Sequence, residues 1–479
     1  MPRDRSPPPS RHPRRSYNNK PPASLRQVES DDRSLPVPNT YNEHKRNRRS
    51  RTMDDSTTRT PWVKPEGESG RKGFHPLRFC HISFKSTSRA SLLCNLFWPV
   101  VPAAIAVRYA LPDNHTLIFI LAYIAMVPCA NLIGFSGQEL ARKFPHVAGV
   151  LIEITCGSIV EIVLFMVLLA GDQFYVIKAA ILGSILATMV LCLGFCFFVG
   201  GMLKDEQTFS EAISEAGSGL LLTAGVALSI PTVFEHGLGT ANTTTAAAME
   251  HKTLQISRII SILLIIAYLV YAFFQARTHH GIYNAVFEHD EQRDRDKHKD
   301  AAKAKLTLTE CIIALVFAIA LVSFMAVILV MQIEHVIQNG AVSDAFMGLI
   351  LVPLVEKFAE HLTAIDEAWD NQMNFALSHV LGATLQTALF NAPLAVIVSW
   401  GLGKNLDLNF DVFNLVMLIL AILTVGRFLQ DQKSNYLEGF LLIILYVAIA
   451  VAAFYYPDPA HGAGGTSEGG AEGGSEGGH

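Results

Sequence analysis

Apolar residues occur in eleven runs of about 20, separated by shorter polar stretches. A helix of that length crosses a hydrocarbon layer of roughly 30 Å. The pattern therefore predicts an all-α polytopic membrane protein with about eleven transmembrane helices. We place these helices near residues 91–111, 115–136, 147–170, 175–201, 212–231, 254–275, 307–333, 343–365, 373–400, 409–429 and 435–455.

One hydrophilic stretch, residues 276–306, divides these runs into two sets of five and leaves the first run over at the front. An odd number of helices in each set makes the second set enter the membrane in the opposite direction. We expect a leading transmembrane helix at 91–111, then two inverted five-helix repeats at 112–275 and 307–456. Residues 276–306 would form a charged cytosolic linker.

The two ends of the chain differ in charge. Residues 1–90 are rich in Pro, Ser and Arg, with Lys and Arg in excess, and we expect a disordered basic cytosolic tail. Residues 457–479 form a Gly-rich acidic tail that we place in the lumen. Basic residues in the loops favour the same orientation, with a cytosolic N-terminus. The basic tail suits the anionic leaflet of the lipid bilayer, and no nucleic-acid partner is expected.

Composition supports a membrane protein, since half of the 479 residues are hydrophobic and the net charge is only -4. The sequence contains no nucleophile–base pair or metal triad of the kind that enzymes use. We therefore expect neither an enzyme nor a cofactor.

Two of the apolar helices contain carboxylates, which are costly at membrane depth unless they bind a partner, water or an ion. Glu153, Gly157 and Glu161 are spaced by four residues, which places them along roughly one face of a helix, and Glu356 and Glu360 have the same spacing in the other half. A helix rich in Gly, Ala and Ser follows each acidic helix and offers neutral oxygen ligands. The predicted cation- and proton-binding residues are Glu153, Ser158, Glu161, Ser184, Glu356, Glu360, Thr384 and Gln386, with His361 as a proton relay.

Structural explanations compete with this interpretation. Lys357 is an available salt-bridge partner for a buried carboxylate, and the small residues at 183–184 and 382–384 are typical of close helix packing. His379 is expected to satisfy a local packing need. Two acidic helices at equivalent places in the two halves nevertheless favour an ion site.

Several longer motifs resemble the vacuolar calcium/proton exchangers, also called cation/proton exchangers, of the calcium/cation antiporter superfamily. The resemblance covers about residues 91–457 and is strongest near the end of the chain. The matching runs are LGSIL at 182–186, GATLQTALF at 382–390, LDLNF at 406–410 and FLQDQKSNYLEG at 428–439.

The resemblance implies an eleven-helix antiporter of the vacuolar membrane that uses a proton gradient to load a cation, usually calcium. Glu161 and Glu360 match the metal-binding glutamates of the family's two G-N-A-x-E motifs. The rest of both motifs differs, and Lys357 replaces an Asn, so this lysine is expected to influence cation selectivity. Glu139 and Glu334 are the candidate gating carboxylates.

Three functions remain open at this point. The first is proton-coupled exchange of cytosolic calcium for lumenal protons. The second is antiport of a monovalent cation or manganese by the same fold. The third is a membrane sensor or scaffold that transports nothing because Lys357 closes its site.

Overall fold

A computed structural model of the chain describes residues 71, 73–85, 89–144, 146–239, 246–295, 304–338 and 342–456. Most of the predicted N-terminal tail and the whole of the predicted lumenal tail lie outside these residues. Within them, ten helices are long and apolar enough to cross a membrane. The predicted all-α polytopic membrane fold is confirmed.

The first half begins after a leading segment with helices Pro76–Lys85, Arg89–Asn95 and Val100–Ala110. Helix Pro76–Lys85 falls inside the tail predicted to be disordered, so helical structure begins earlier than the sequence pattern indicated. The helices of the first half are His115–Ala141, His146–Gly157, Ile159–Ala170, Phe174–Leu186, Leu193–Gly201, Glu211–Gly239 and Ala246–Phe273.

The second half follows helix His280–Arg293, which lies in the predicted linker and which we call the linker helix. Its helices are Leu308–Gln338, Asp344–Phe346, Val352–Glu356, Phe358–Trp369, Met373–Gln386, Ala392–Gly401, Val412–Leu429 and Tyr436–Phe454. The predicted span at 343–365 is absent from the ten long apolar helices of the described residues, because its helix is interrupted and rich in charge.

Both acidic helices are broken at equivalent positions. The first acidic helix, residues 146–170, is interrupted at Ser158, with φ -77° and ψ -2°. The second acidic helix, residues 344–369, is interrupted at Lys357, with φ -93° and ψ -2°. Discontinuous helices of this kind place irregular backbone at the depth where transporters bind ions.

The two helices that follow are also irregular. The first small-residue helix, residues 174–201, contains a π-helical segment at Ala187–Cys192. The second small-residue helix, residues 373–401, contains one at Thr387–Asn391. Such segments are common at functional sites because they widen the helix locally.

Glycines allow the two halves to pack at backbone distance. A Cβ on Gly183 would overlap the carbonyl of Leu349, and one on Gly348 would lie 2.5 Å from the Cβ of Ala179. The first small-residue helix therefore lies directly against the π-helical segment Met347–Leu351 of the second acidic helix. The competing interpretation of Gly183 as a close-packing residue agrees with this contact.

Polar contacts fix the connecting segments. The two-residue strands β1 (Gln207–Thr208) and β2 (Lys433–Ser434) pair in antiparallel fashion. On the linker helix, the buried Asp290 accepts a hydrogen bond from the backbone N–H of Asn374 at 2.8 Å, near the start of the second small-residue helix. The carboxylate occupies a favourable position at the positive end of that helix.

Candidate cation-binding site

Lys357 lies between carboxylates from both halves of the chain. Its Nζ is 2.7 Å from Oε2 of Glu161 and 2.9 Å from Oε2 of Glu360. The side chains of Lys357 and Glu161 are both 0% exposed, whereas that of Glu360 is 16% exposed. An ammonium group of the protein therefore connects the two glutamates that matched the family motifs.

Glu161 is held by donors from the opposite half. Besides Lys357, its Oε2 accepts hydrogen bonds from Thr387 Oγ1 at 2.9 Å and from Asn391 Nδ2 at 2.7 Å. Both donors belong to the π-helical segment of the second small-residue helix. This segment turns a threonine and an asparagine toward the same carboxylate oxygen.

Glu356 is buried beside Lys357 but has fewer partners. Its Oε1 accepts a hydrogen bond from Ser184 of the first small-residue helix. Its Oε2 is buried and has no hydrogen-bond partner. The charges of Glu161, Lys357 and Glu360 all act on this carboxylate. A buried carboxylate oxygen without a donor is uncommon, and a bound cation would satisfy it.

A cavity between the two halves has Glu356 and Glu360 among its lining residues. Gly157 forms part of its wall, and a Cβ at this position would overlap Oε1 of Glu360. Glycine is therefore required for the observed position of Glu360. Lys357 and Glu161 are absent from the cavity wall, in agreement with their complete burial.

His361 also lines the cavity and lies next to Glu360. Its Nε2 is 3.2 Å from Thr188 Oγ1 in the π-helical segment of the first small-residue helix. The predicted relay residue is thus close to the carboxylates and has a hydroxyl partner. Its role as a relay remains a prediction.

Glu153 lies in a second cluster farther along the same cavity. His379 is placed between two carboxylates, with Nε2 3.5 Å from Glu153 and Nδ1 2.8 Å from Glu367. The expectation that His379 only satisfies local packing did not anticipate these two partners. Glu153 therefore forms its ion pair with His379, one helical turn from Gly157.

The remaining predicted ligands differ in their surroundings. Thr384 donates its hydroxyl to the carbonyl of Val380 in its own helix, at 2.6 Å. Ser158 and Gln386 are buried, and each has a side-chain oxygen without a hydrogen-bond partner. Neither residue lines the cavity, and the Thr384 proton is already engaged.

Neither predicted gating carboxylate lines the cavity. Glu139 binds Arg142 at 2.8 Å and accepts a hydrogen bond from the backbone N–H of Leu306 at 2.9 Å. Glu334 is exposed and accepts a hydrogen bond from Gln338 at 3.1 Å. In the structure, Glu139 fastens the end of the linker to the first half, and Glu334 lies near a helix terminus.

Sequence reasoning missed Asn391, Glu367 and the bridging geometry of Lys357. Asn391 follows Thr387 by four residues, and this spacing was the available signal for a common face. The bridge between Lys357 and Glu161 joins the two halves, so no local pattern could identify it.

The two broken helices, one in each half of the chain, bring their carboxylates close together. Carboxylates in such an arrangement can bind cations. Within the part of the chain described by the structure, no group of three or more His, Cys, Asp or Glu side chains is arranged to hold a metal ion. The ammonium of Lys357 lies where two carboxylates converge. Broken helices with carboxylates at the break are typical of secondary transporters.

Comparisons with known proteins give the family. The model of the sodium/calcium exchanger protein family matches residues 114–277 and 311–455, and the chain belongs to this family. Vacuolar cation/proton exchanger 2 of Arabidopsis thaliana is 32% identical over 367 residues, which cover 76% of this chain and 81% of that protein. The resemblance to the calcium/proton exchangers is confirmed.

Two further relatives agree with this result. A Ca²⁺/H⁺ antiporter of Aphanothece halophytica is 32% identical over 350 residues, which cover 72% of this chain and 91% of that protein. The solved structure of the Ca²⁺/H⁺ antiporter YfkE matches with a TM-score of 0.61 and 26% identity, over 75% of this chain and 99% of that one. The chain is therefore related to exchangers over nearly their full length.

Proposed function

We propose that the protein is a proton-coupled cation antiporter that exchanges cytosolic calcium for protons of an acidic vacuolar lumen. The observation that carries the proposal is the cavity between the two broken helices, whose lining includes Glu356 and Glu360. Relatives named as a calcium/proton antiporter and as a vacuolar cation/proton exchanger support the choice of ions and membrane.

In the proposed mechanism, a cytosolic cation moves between the two acidic helices and displaces protons from their carboxylates. Protons that return from the lumen release the cation there. Cation and protons alternate at one site because the same carboxylate oxygens can bind either of them. The N-terminus is cytosolic and the C-terminus lumenal in this proposal, as the loop charges favour.

Calcium uptake into proteoliposomes with an imposed pH gradient tests this function. We expect uptake that depends on the gradient and is lost in Glu360→Gln. Gradient-independent uptake, or unchanged uptake in Glu360→Gln, would contradict calcium/proton antiport. The same vesicles challenged with manganese, sodium and potassium distinguish the second function, in which another cation is transported.

One observation favours the scaffold function. The ammonium of Lys357 already bridges Glu161 and Glu360, and a lysine in this position opposes a metal ion by like-charge repulsion. If this bridge closed the site, folded wild-type protein would transport none of the four cations. Transport of any of them excludes the scaffold function.

A further inference from the structure

We propose that Glu356 and Glu360 hold a divalent cation in the cavity that they line, while Lys357 stays bound to Glu161 as an internal ion pair. This inference rests on the proposed function and names the residues and the cation class of its site. It differs from the motif-based expectation, in which Glu161 and Glu360 bind the ion together.

Position relative to the cavity distinguishes the carboxylates. Glu356, which is itself buried, and the partly exposed Glu360 both line the cavity, whereas Glu161 and Lys357 do not. An ion in the cavity therefore lies beside the two glutamates of the second acidic helix. Glu161 is already paired with Lys357 at 2.7 Å.

Glu161 and Glu356 differ in the number of hydrogen-bond donors that contact them. Oε2 of Glu161 accepts from Lys357, Thr387 and Asn391, all within 2.9 Å. Oε2 of Glu356 is buried without any donor and belongs to a side chain in the cavity wall. Oε1 of Glu161 also has no donor, but Glu161 is not among the residues that line this cavity. Of the two carboxylates with an unsatisfied oxygen, that of Glu356 therefore belongs to a residue of the cavity wall.

Charge balance favours a divalent ion. With Glu161, Glu356 and Glu360 deprotonated and Lys357 protonated, the group has a net charge of two negative. A divalent cation brings this buried group to neutrality, whereas a monovalent cation leaves an uncompensated charge at membrane depth. Glu356 thus restores the charge that Lys357 removes. Glu153 does not enter this count because His379 is its partner.

The ligand chemistry is consistent with a hard divalent ion. Two carboxylates that bind through both oxygens provide four ligands, and calcium accepts six to eight oxygens, including water. The cavity gives water a route to the remaining positions. The hydroxyl of Thr188, in the wall of the same cavity, is a further neutral oxygen.

Equilibrium binding of Ca²⁺ to the purified full-length chain in detergent, measured by calorimetry at fixed pH, tests this assignment. We expect Glu356→Gln to raise the Kd by at least about tenfold, because one of two ion-contacting charges is lost. Glu356→Asp keeps the charge and should bind more tightly than Glu356→Gln. The control is Glu250→Gln, which removes an exposed carboxylate and should leave the Kd unchanged.

The decisive variant is the double substitution Glu161→Gln with Lys357→Met, which removes the internal ion pair as a unit. We expect its Kd to stay within about threefold of the wild-type value. Wild-type affinity in Glu356→Gln would overturn the inference. So would loss of binding in the double variant comparable to that in Glu360→Gln, or absence of Ca²⁺ binding to the wild type.

A melting temperature and an elution profile for each variant exclude loss of folding as the cause of weak binding. Because no gradient is applied, binding is independent of transport. A protein that binds Ca²⁺ in the expected pattern but fails to take it up into vesicles would support this site and contradict antiport. Proton-driven uptake by a protein in which Glu356→Gln leaves Ca²⁺ binding unchanged would support antiport and contradict this site.

Discussion

The two acidic helices have the same backbone break but different chemistry at the break. In the first helix the break lies at Gly157-Ser158, two small residues without charge. In the second helix it lies at Glu356-Lys357, which introduces one charge of each sign. The comparison shows that the fold conserves the geometry of the break while allowing the charged groups to be redistributed between the halves.

The break at Gly157-Ser158 and the break at Glu356-Lys357 depend on each other. Gly157 leaves the space that Glu360 occupies, and Lys357 occupies the position from which it reaches Glu161 of the first half. Each half therefore completes the site of the other. Substitutions at the two breaks should consequently have unequal effects, and these effects can test the comparison.

The largest effect is expected for Lys357→Met. This substitution leaves Glu161 buried without its ammonium partner, and removal of one member of a buried ion pair costs about 3–5 kcal/mol. We expect a marked fall in the melting temperature, measured by scanning fluorimetry in detergent. Adding Glu161→Gln should recover much of that loss. A double variant no more stable than Lys357→Met would show that the lysine stabilises the fold by other contacts.

The second largest effect is expected at the break Gly157-Ser158 of the first acidic helix. Gly157→Ala places a methyl group on Oε1 of Glu360, so this side chain has to leave its observed position. Cation uptake should fall by about tenfold or more. Gly134→Ala is the matched control, since its Cβ would lie 3.7 Å from that of Ala359, an ordinary contact. Equal uptake in the two variants would contradict the role of Gly157.

Ser184→Ala removes the hydrogen bond to Glu356 and leaves both of its oxygens without a donor. We expect a destabilisation of about 1–3 kcal/mol and weaker cation uptake, because the carboxylate loses its anchor. Ala383 occupies the corresponding place in the second half, and Ala383→Ser adds a hydroxyl there as a control. If both variants lowered uptake equally, Ser184 would have no special role.

The smallest effect is expected for Thr387→Val, which removes one of three donors to Glu161. The loss should be about 1 kcal/mol in stability, since Asn391 and Lys357 still hold the carboxylate. Thr384→Val serves as the comparison because the Thr384 hydroxyl binds a carbonyl of its own helix. Thermal melts of both variants measure the difference. A larger loss in Thr384→Val would contradict the assigned partners.

Much of the fold could be predicted because membrane spans leave a direct signal in hydropathy. Ten of the eleven predicted spans coincide with long apolar helices of the described residues. The exception, 343–365, contains the charged break, and its charge makes the helix too polar for a span defined by composition. Recognition of membrane helices by length and hydropathy thus fails at the segment that contains residues of the candidate site.

The site was predictable in its residue types but not in its pairings. Spacing by four residues places Glu356 and Glu360 on one face, and both line the same cavity. The same spacing grouped Glu153 with Glu161, although Glu153 pairs with His379 instead. Which carboxylate meets which cation depends on contacts between the halves, and these are invisible to a local pattern.

The Lys357–Glu161 ion pair should persist while a divalent cation occupies Glu356 and Glu360. A structure determined in the presence of Sr²⁺, with its anomalous scattering, locates the ion directly. We expect an anomalous peak against Glu356 and Glu360, with Lys357 still in contact with Glu161. A peak between Glu161 and Glu360, with the lysine displaced, would contradict this expectation.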